Sequence, residues 1–105
     1  MISFEQARQI ALNIIGPLWE PDECGDYVVA DYGYEDDLAW GLVDGPRRLV
    51  IDGDPDCMPI GRGTTFVNKE SGEVFSLTYL EAPVRFDAMT TVGKHPQETD
   101  PDSIR

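Results

Sequence analysis

Thr64-Thr65-Phe66-Val67-Asn68, then Lys69-Glu70-Ser71-Gly72, then Glu73-Val74-Phe75-Ser76-Leu77-Thr78-Tyr79-Leu80, closed by Glu81-Ala82-Pro83, is the stretch whose reading decides the fold. Two runs of β-branched and aromatic residues flank four polar turn residues, and the turn ends in a glycine placed for positive φ. That pattern predicts a β-hairpin. With a period of two, Phe75, Leu77 and Tyr79 share one face, while Val74, Ser76, Thr78 and Leu80 share the other. A strand with one strongly apolar face and one mixed face reads as a central strand.

Upstream of the hairpin, Ser3 and Gln6 have the spacing of a capping box, so a helix is expected to begin at Phe4 and to end at Gly16-Pro17. Phe4, Ala7, Ile10 or Ala11, Ile14 and Leu18 recur at helical spacing as one apolar stripe, with Glu5, Arg8, Gln9 and Asn13 facing away. A helix of about a dozen residues is marginal alone and needs a sheet to cover. Leu18 to Asp26 has no period and reads as a connecting loop. Tyr27 to Tyr32 and Leu38 to Val43 alternate as strands, with Leu38, Trp40 and Leu42 on one face. Arg48 to Ile51 reads as a third strand after the Asp44-Gly45-Pro46 turn.

Gly53 to Gly63 is rich in glycine and proline and reads as a loop. After the hairpin, Pro83 fits the first turn of a short helix whose Val84 and Ala88, or Phe86 and Met89, cover a sheet edge. Residues 94–105 are polar and aperiodic and are expected to form a disordered tail behind a single domain of residues 1–93. One N-terminal helix followed by four or five strands makes an α+β domain, with the helix on one face of an antiparallel sheet.

Charge is the unusual part of the composition: 20 acidic against 8 basic residues, a net −12. Twelve of the acids but only two arginines fall between residues 20 and 56. Nucleic acid and anionic membranes are therefore unexpected partners, because both need clustered Lys and Arg. The same field speeds encounter with a basic protein. The N-terminus has no basic region followed by an apolar run, and no segment approaches membrane-spanning length, so a cytoplasmic protein is expected. Cys24 and Cys57 are too far apart in sequence for a redox motif or a zinc knuckle; two idle thiols are expected, with pairing left open.

Catalytic and metal motifs are sparse. Asp52, Asp54 and Asp56 have the alternate spacing that opens a calcium loop, but Cys57 stands where such a loop needs glycine and Gly63 where it needs glutamate. A solvated acidic loop is the expectation, and no metal or cofactor is expected. His95, the single histidine, stands beside a proline in the tail segment, which does not suit a general base. The consecutive acids Glu35, Asp36 and Asp37 do not have the arrangement of a glycosidase pair. Gly61-Arg62-Gly63 lacks the lysine and the following helix of a phosphate loop. Asp31, Tyr32, Tyr34, Glu35, Asp36 and Asp37 remain as tyrosines interleaved with acids. They suit either a partner-binding patch or a strand with core-facing tyrosines beside a solvated loop.

The segment Gly63 to Leu77 followed by Ala82-Pro83, the opening Met1-Ile2-Ser3-Phe4-Glu5-Gln6-Ala7, and the central Trp40 resemble the immunity protein 35 family of bacterial polymorphic toxin systems. Together these features cover most of residues 1 to 89. The resemblance implies a small cytoplasmic protein that neutralises a cognate toxin by binding it, without catalysis or cofactor. A toxin acting on nucleic acid is usually basic, so an acidic, tyrosine-bearing surface suits it. Asp31, Tyr32, Tyr34, Glu35, Asp36 and Asp37, with Asp52, Asp54 and Asp56 as secondary candidates, are then the expected contacts. An accessory protein-binding domain unrelated to toxins, or a small-molecule-binding domain with a pocket between helix and sheet, are the alternatives.

Overall fold

The computed structural model of the chain describes residues 1–59 and 62–93. It has the expected α+β architecture. Helix α1 (Phe4–Ile15) is followed by a 3-10 turn (Gly16–Leu18), strands β1 (Tyr27–Glu35) and β2 (Ala39–Pro46), and the single helical turn α2 (Arg47–Val50). Then come β3 (Thr64–Asn68), β4 (Val74–Leu77), the short helix α3 (Pro83–Ala88) and β5 (Thr90–Val92). The sheet order is β4-β3-β2-β1-β5, antiparallel throughout.

The capping box forms as the sequence predicts: the Ser3 N–H donates to Gln6 Oε1 at 2.7 Å, and the Gln6 N–H donates to Ser3 Oγ at 3.1 Å. Ala7 and Ala11 are fully buried, and their small side chains let α1 lie close on the sheet among Tyr27, Val29, Leu42 and Val67. Phe4, Ile10 and Ile15 flank this contact, whereas Ile14 and Leu18 are exposed. The stripe therefore follows positions 4, 7, 11 and 15, and the 3-10 turn carries Leu18 off it. Arg8, expected to face away, folds back to donate to the Val29 carbonyl at 2.8 Å.

The predicted hairpin is β3 and β4. Gly72 takes φ +76° in its turn, and Asn68 Oδ1 accepts from the N–H groups of Glu70 and Ser71. Lys69, read as a plain turn residue, is instead buried. Its ammonium lies 4.3 Å from the Trp40 ring centroid and 2.8 Å from a Glu35 oxygen.

Three strand assignments are corrected. First, β4 is an edge strand, not a central one. Val74 packs against the core on the α1 side while Phe75 stacks on Phe66 on the other, so partial coverage of both faces imitates a central position. Second, Arg48–Ile51 is not a strand. Pro46, extended at ψ 144°, caps the turn α2, in which the Ile51 N–H reaches the Arg47 carbonyl at 2.8 Å. Arg47 holds Asp26 and Arg48 holds Asp54, which fixes the turn in place. Third, the β-branched run Thr90-Thr91-Val92 forms an unanticipated strand that pairs Gly33–Glu35 of β1.

The idle-thiol expectation is also corrected, since Cys24 and Cys57 form a disulfide with Cα atoms 5.7 Å apart. They are 33 residues apart in sequence, but the loop before β1 and the loop before β3 meet at the same end of the sheet. Beside them Asp44, its carboxylate almost fully buried, accepts from the Tyr27 hydroxyl and from Arg62 at 3.0 and 3.1 Å. Burial and the neighbouring Asp44 carboxylate hold Tyr27 protonated, well above its ordinary range. The stretch read as a disordered tail, residues 94–105, lies outside the described residues.

Cross-linking a loop of this length restricts the unfolded chain by about 4 kcal/mol in the chain-entropy account. Reducing the bond, or substituting Cys24→Ser together with Cys57→Ser, should move the guanidinium unfolding midpoint down by a corresponding amount. An unchanged midpoint contradicts the pairing.

Candidate functional site

The face of the sheet opposite α1 carries a second, smaller cluster. Phe66 on β3 is fully buried there, stacked on Phe75 at 5.5 Å between centroids and met edge-on by Phe86 of α3 at 5.5 Å. The chain reaches this face through a 3-10 turn, Tyr79–Glu81, which is closed by a capping box between Thr78 and Glu81. Pro83 at the first position of α3 suits its fixed φ. Phe86 and Met89 turn toward the sheet as one of the two expected pairs does, while Val84 points outward.

One polar contact ties this segment to the sheet and another braces it internally. Arg85 forms an ion pair with Asp36 in the β1–β2 turn, and its guanidinium lies 5.6 and 5.7 Å from the Phe66 and Phe75 ring centroids. The Tyr79 hydroxyl donates to both Asp87 oxygens at 3.0 and 3.1 Å, which raises the tyrosine's pKa and keeps it a donor. Asp36 also accepts from the backbone N–H groups of Leu38 and Ala39 at 2.9 Å. Desolvation opposes its charge, but the bonds from Arg85 and the two N–H groups outweigh that effect and hold its carboxyl below the ordinary range.

This docking exposes apolar side chains next to acids. Leu80 is 89% exposed, Val84 82% and Tyr79 50% on the segment that carries Asp87, and Leu38, 64% exposed, follows Asp37 in the turn that Arg85 reaches. Such a grouping is the usual mark of an interaction surface. Tyr79 and Asp87 also line a cleft of about 380 Å³ whose other walls are Tyr34, Phe66, Phe86 and Met89. Gly41 forms part of the floor; a Cβ there would come within 3.1 Å of the Phe66 ring and narrow the cleft.

The residues read from sequence divide among different positions. Tyr34 and Asp37 belong to this face, and Asp36 secures it. Glu35 instead points to the α1 side, where it holds Lys69. Asp31 is exposed at an irregularity of β1, between the Val29 and Gly33 register points, and Tyr32 beside it is half-buried. Asp52, Asp54 and Asp56 stand at the other end of the sheet. Their loop is tied to the start of β1 by the disulfide and by the Arg47–Asp26 pair, roughly 26 Å of strand away from Glu35. Asp54 caps the turn Pro55–Cys57 and holds Arg48. Tyr79, Leu80, Val84 and Asp87 were not singled out from sequence, since the hairpin reading kept Tyr79 and Leu80 within a continuing strand.

All six basic residues among those described, Arg8, Arg47, Arg48, Arg62, Lys69 and Arg85, sit in intramolecular ion pairs. Among the described residues no group of three or more His, Cys, Asp or Glu side chains can hold a metal ion, and no helix is long and apolar enough to cross a membrane. Comparison with protein-family models, curated proteins and solved structures finds no match.

Asp36→Ala should lower the unfolding free energy by about 2 kcal/mol at neutral pH, because two backbone donors and Arg85 lose their acceptor. Asp36 has a depressed folded pKa, so its charge-dependent contribution is full above the unfolded carboxyl value of about 4. It is lost as pH falls through the lower folded value, and variant and wild type should converge toward pH 2. Urea titrations across this range read the gap; a constant difference contradicts the assignment.

Proposed function

We propose that this chain is a non-catalytic acidic protein that binds and neutralises a basic protein partner, in the manner its resemblance to immunity protein 35 implies. The observation that carries the reading is the α3 face. There, exposed Tyr79, Leu80 and Val84 share a segment with Asp87, and exposed Leu38 stands with Asp37, while every described basic side chain is already held by an acid. Aromatic and aliphatic anchors supply burial at an interface, and surplus acids supply steering and selectivity toward a cationic surface. A basic toxin domain whose substrate is a polyanion fits this combination.

Contact is made in this reading by Tyr34 and Asp37, with Asp31 and Tyr32 farther along β1. Asp52 and Asp56 contribute to the long-range field from the far end. A cytoplasmic site of action goes with the reading. In a reducing compartment Cys24 and Cys57 would stand as thiols, leaving Arg47–Asp26 and Arg48–Asp54 to hold their loops.

Affinity capture with the tagged chain at low and moderate salt should retain one basic protein, with retention falling as salt rises. Replacing Asp31→Lys and Asp37→Lys should slow association with it by about tenfold at low salt and change dissociation little. Glu35 and Asp36 are unsuitable for reversal because they hold Lys69 and Arg85. A partner whose association rate ignores both changes and the salt concentration contradicts the reading.

A further inference from the structure

Aromatic faces carry negative potential, and a cation placed over them gains most where water is partly excluded and a carboxylate stands at the end of its path. The molecule already contains one such arrangement. Arg85 lies over the Phe66 and Phe75 rings and ends on Asp36. The neighbouring cleft has similar parts, with no cation among the described residues that line it: Tyr34, Phe66, Tyr79 and Phe86 form its walls, Met89 adds a polarisable thioether, and Asp87 supplies the carboxylate. Asp87 accepts from the Tyr79 hydroxyl and forms no ion pair among the described residues. Among the described residues no lysine or arginine lines the cleft.

We propose that this cleft is an anchor pocket for an arginine side chain of the basic partner, an inference that rests on the partner-binding reading above. Charge complementarity selects the occupant. The walls are apolar and aromatic, the one ionised group among the described lining residues is an acid, and a planar guanidinium can stack on a ring while donating to a carboxylate edge. The cleft volume of about 380 Å³ accommodates a long side chain entering from the surface together with part of its backbone. Gly41 keeps the floor open. Exposed Leu80 and Val84, in the same segment as Tyr79 and Asp87, supply apolar surface for the residues that flank the arginine.

The three methionines provide a direct readout, since Met89 lines the cleft whereas Met1 and Met58 do not. With methyl-labelled methionine, titration by N-acetyl-arginine amide should shift the Met89 resonance with an affinity near the millimolar range and leave Met1 and Met58 still. N-acetyl-citrulline amide, of nearly the same shape but neutral, should bind about tenfold more weakly. Asp87→Asn retains an acceptor for Tyr79 and should weaken the arginine probe by a similar factor while leaving the citrulline probe unchanged. Tyr34→Leu, checked for folding by circular dichroism, should weaken the arginine probe as well. Equal binding of the two probes, indifference to Asp87→Asn, no Met89 response, or equal movement of all three methyls overturns the proposal. Capture of a basic partner equally by wild type and Asp87→Asn defeats the anchor pocket and leaves the partner reading standing. Arginine-selective titration of Met89 without any captured partner supports the pocket and defeats the partner reading.

Discussion

Strand β3 is buried on both of its faces, and the rest of the structure is arranged to make that possible. Val67 points into the α1 side and Phe66 into the α3 side, and both are fully enclosed. An antiparallel sheet with one helix normally leaves one face to water. Here Phe66 requires a second cover, and Phe86, backed by Tyr79, and the Arg85 guanidinium supply it from a segment too short to bury its own outer surface. The exposed Leu80 and Val84 follow from that economy of length. The same segment then leads into β5, which closes the β1 edge.

Electrostatics works at two levels. Locally, the described basic side chains join parts of the chain distant in sequence or close a turn: Lys69 reaches Glu35, Arg85 reaches Asp36, and Arg62 reaches the buried Asp44. Pairs that are partly buried and hydrogen-bonded are costly to break, and they fix the loops between strands. Globally, the six described bases are all taken up by such pairs, so the acids left over among the described residues carry unbalanced negative charge in a chain of net −12. The field therefore comes from the residues that the fold does not need, among them Asp31 and Asp37, while Glu35 and Asp36 serve the fold.

The helix, its capping box and the hairpin were legible because their signals are local: Ser3 with Gln6, Gly16-Pro17, and a polar turn ending in Gly72. The place of β4 in the sheet was not legible, since alternation reports which faces are buried and not whether a neighbouring strand or a helix covers them. Arg48–Ile51 is too short for its period to separate strand from helical turn. The disulfide depends on two loops meeting in space, which no spacing encodes. In the candidate site, acid-tyrosine interleaving located Tyr34 and the Asp36-Asp37 turn. Tyr79 and Asp87 escaped because their significance arises when α3 folds back over Phe66.

Binding through the α3 face of the sheet is most directly tested by hydrogen exchange of the chain alone and in complex with its captured basic partner. Exchange should slow at residues 36–39 and 79–89 on complex formation, with α1 unchanged. Slowing confined to residues 4–15, with the α3 face exchanging as in the free protein, would place the partner on the opposite side and contradict the account.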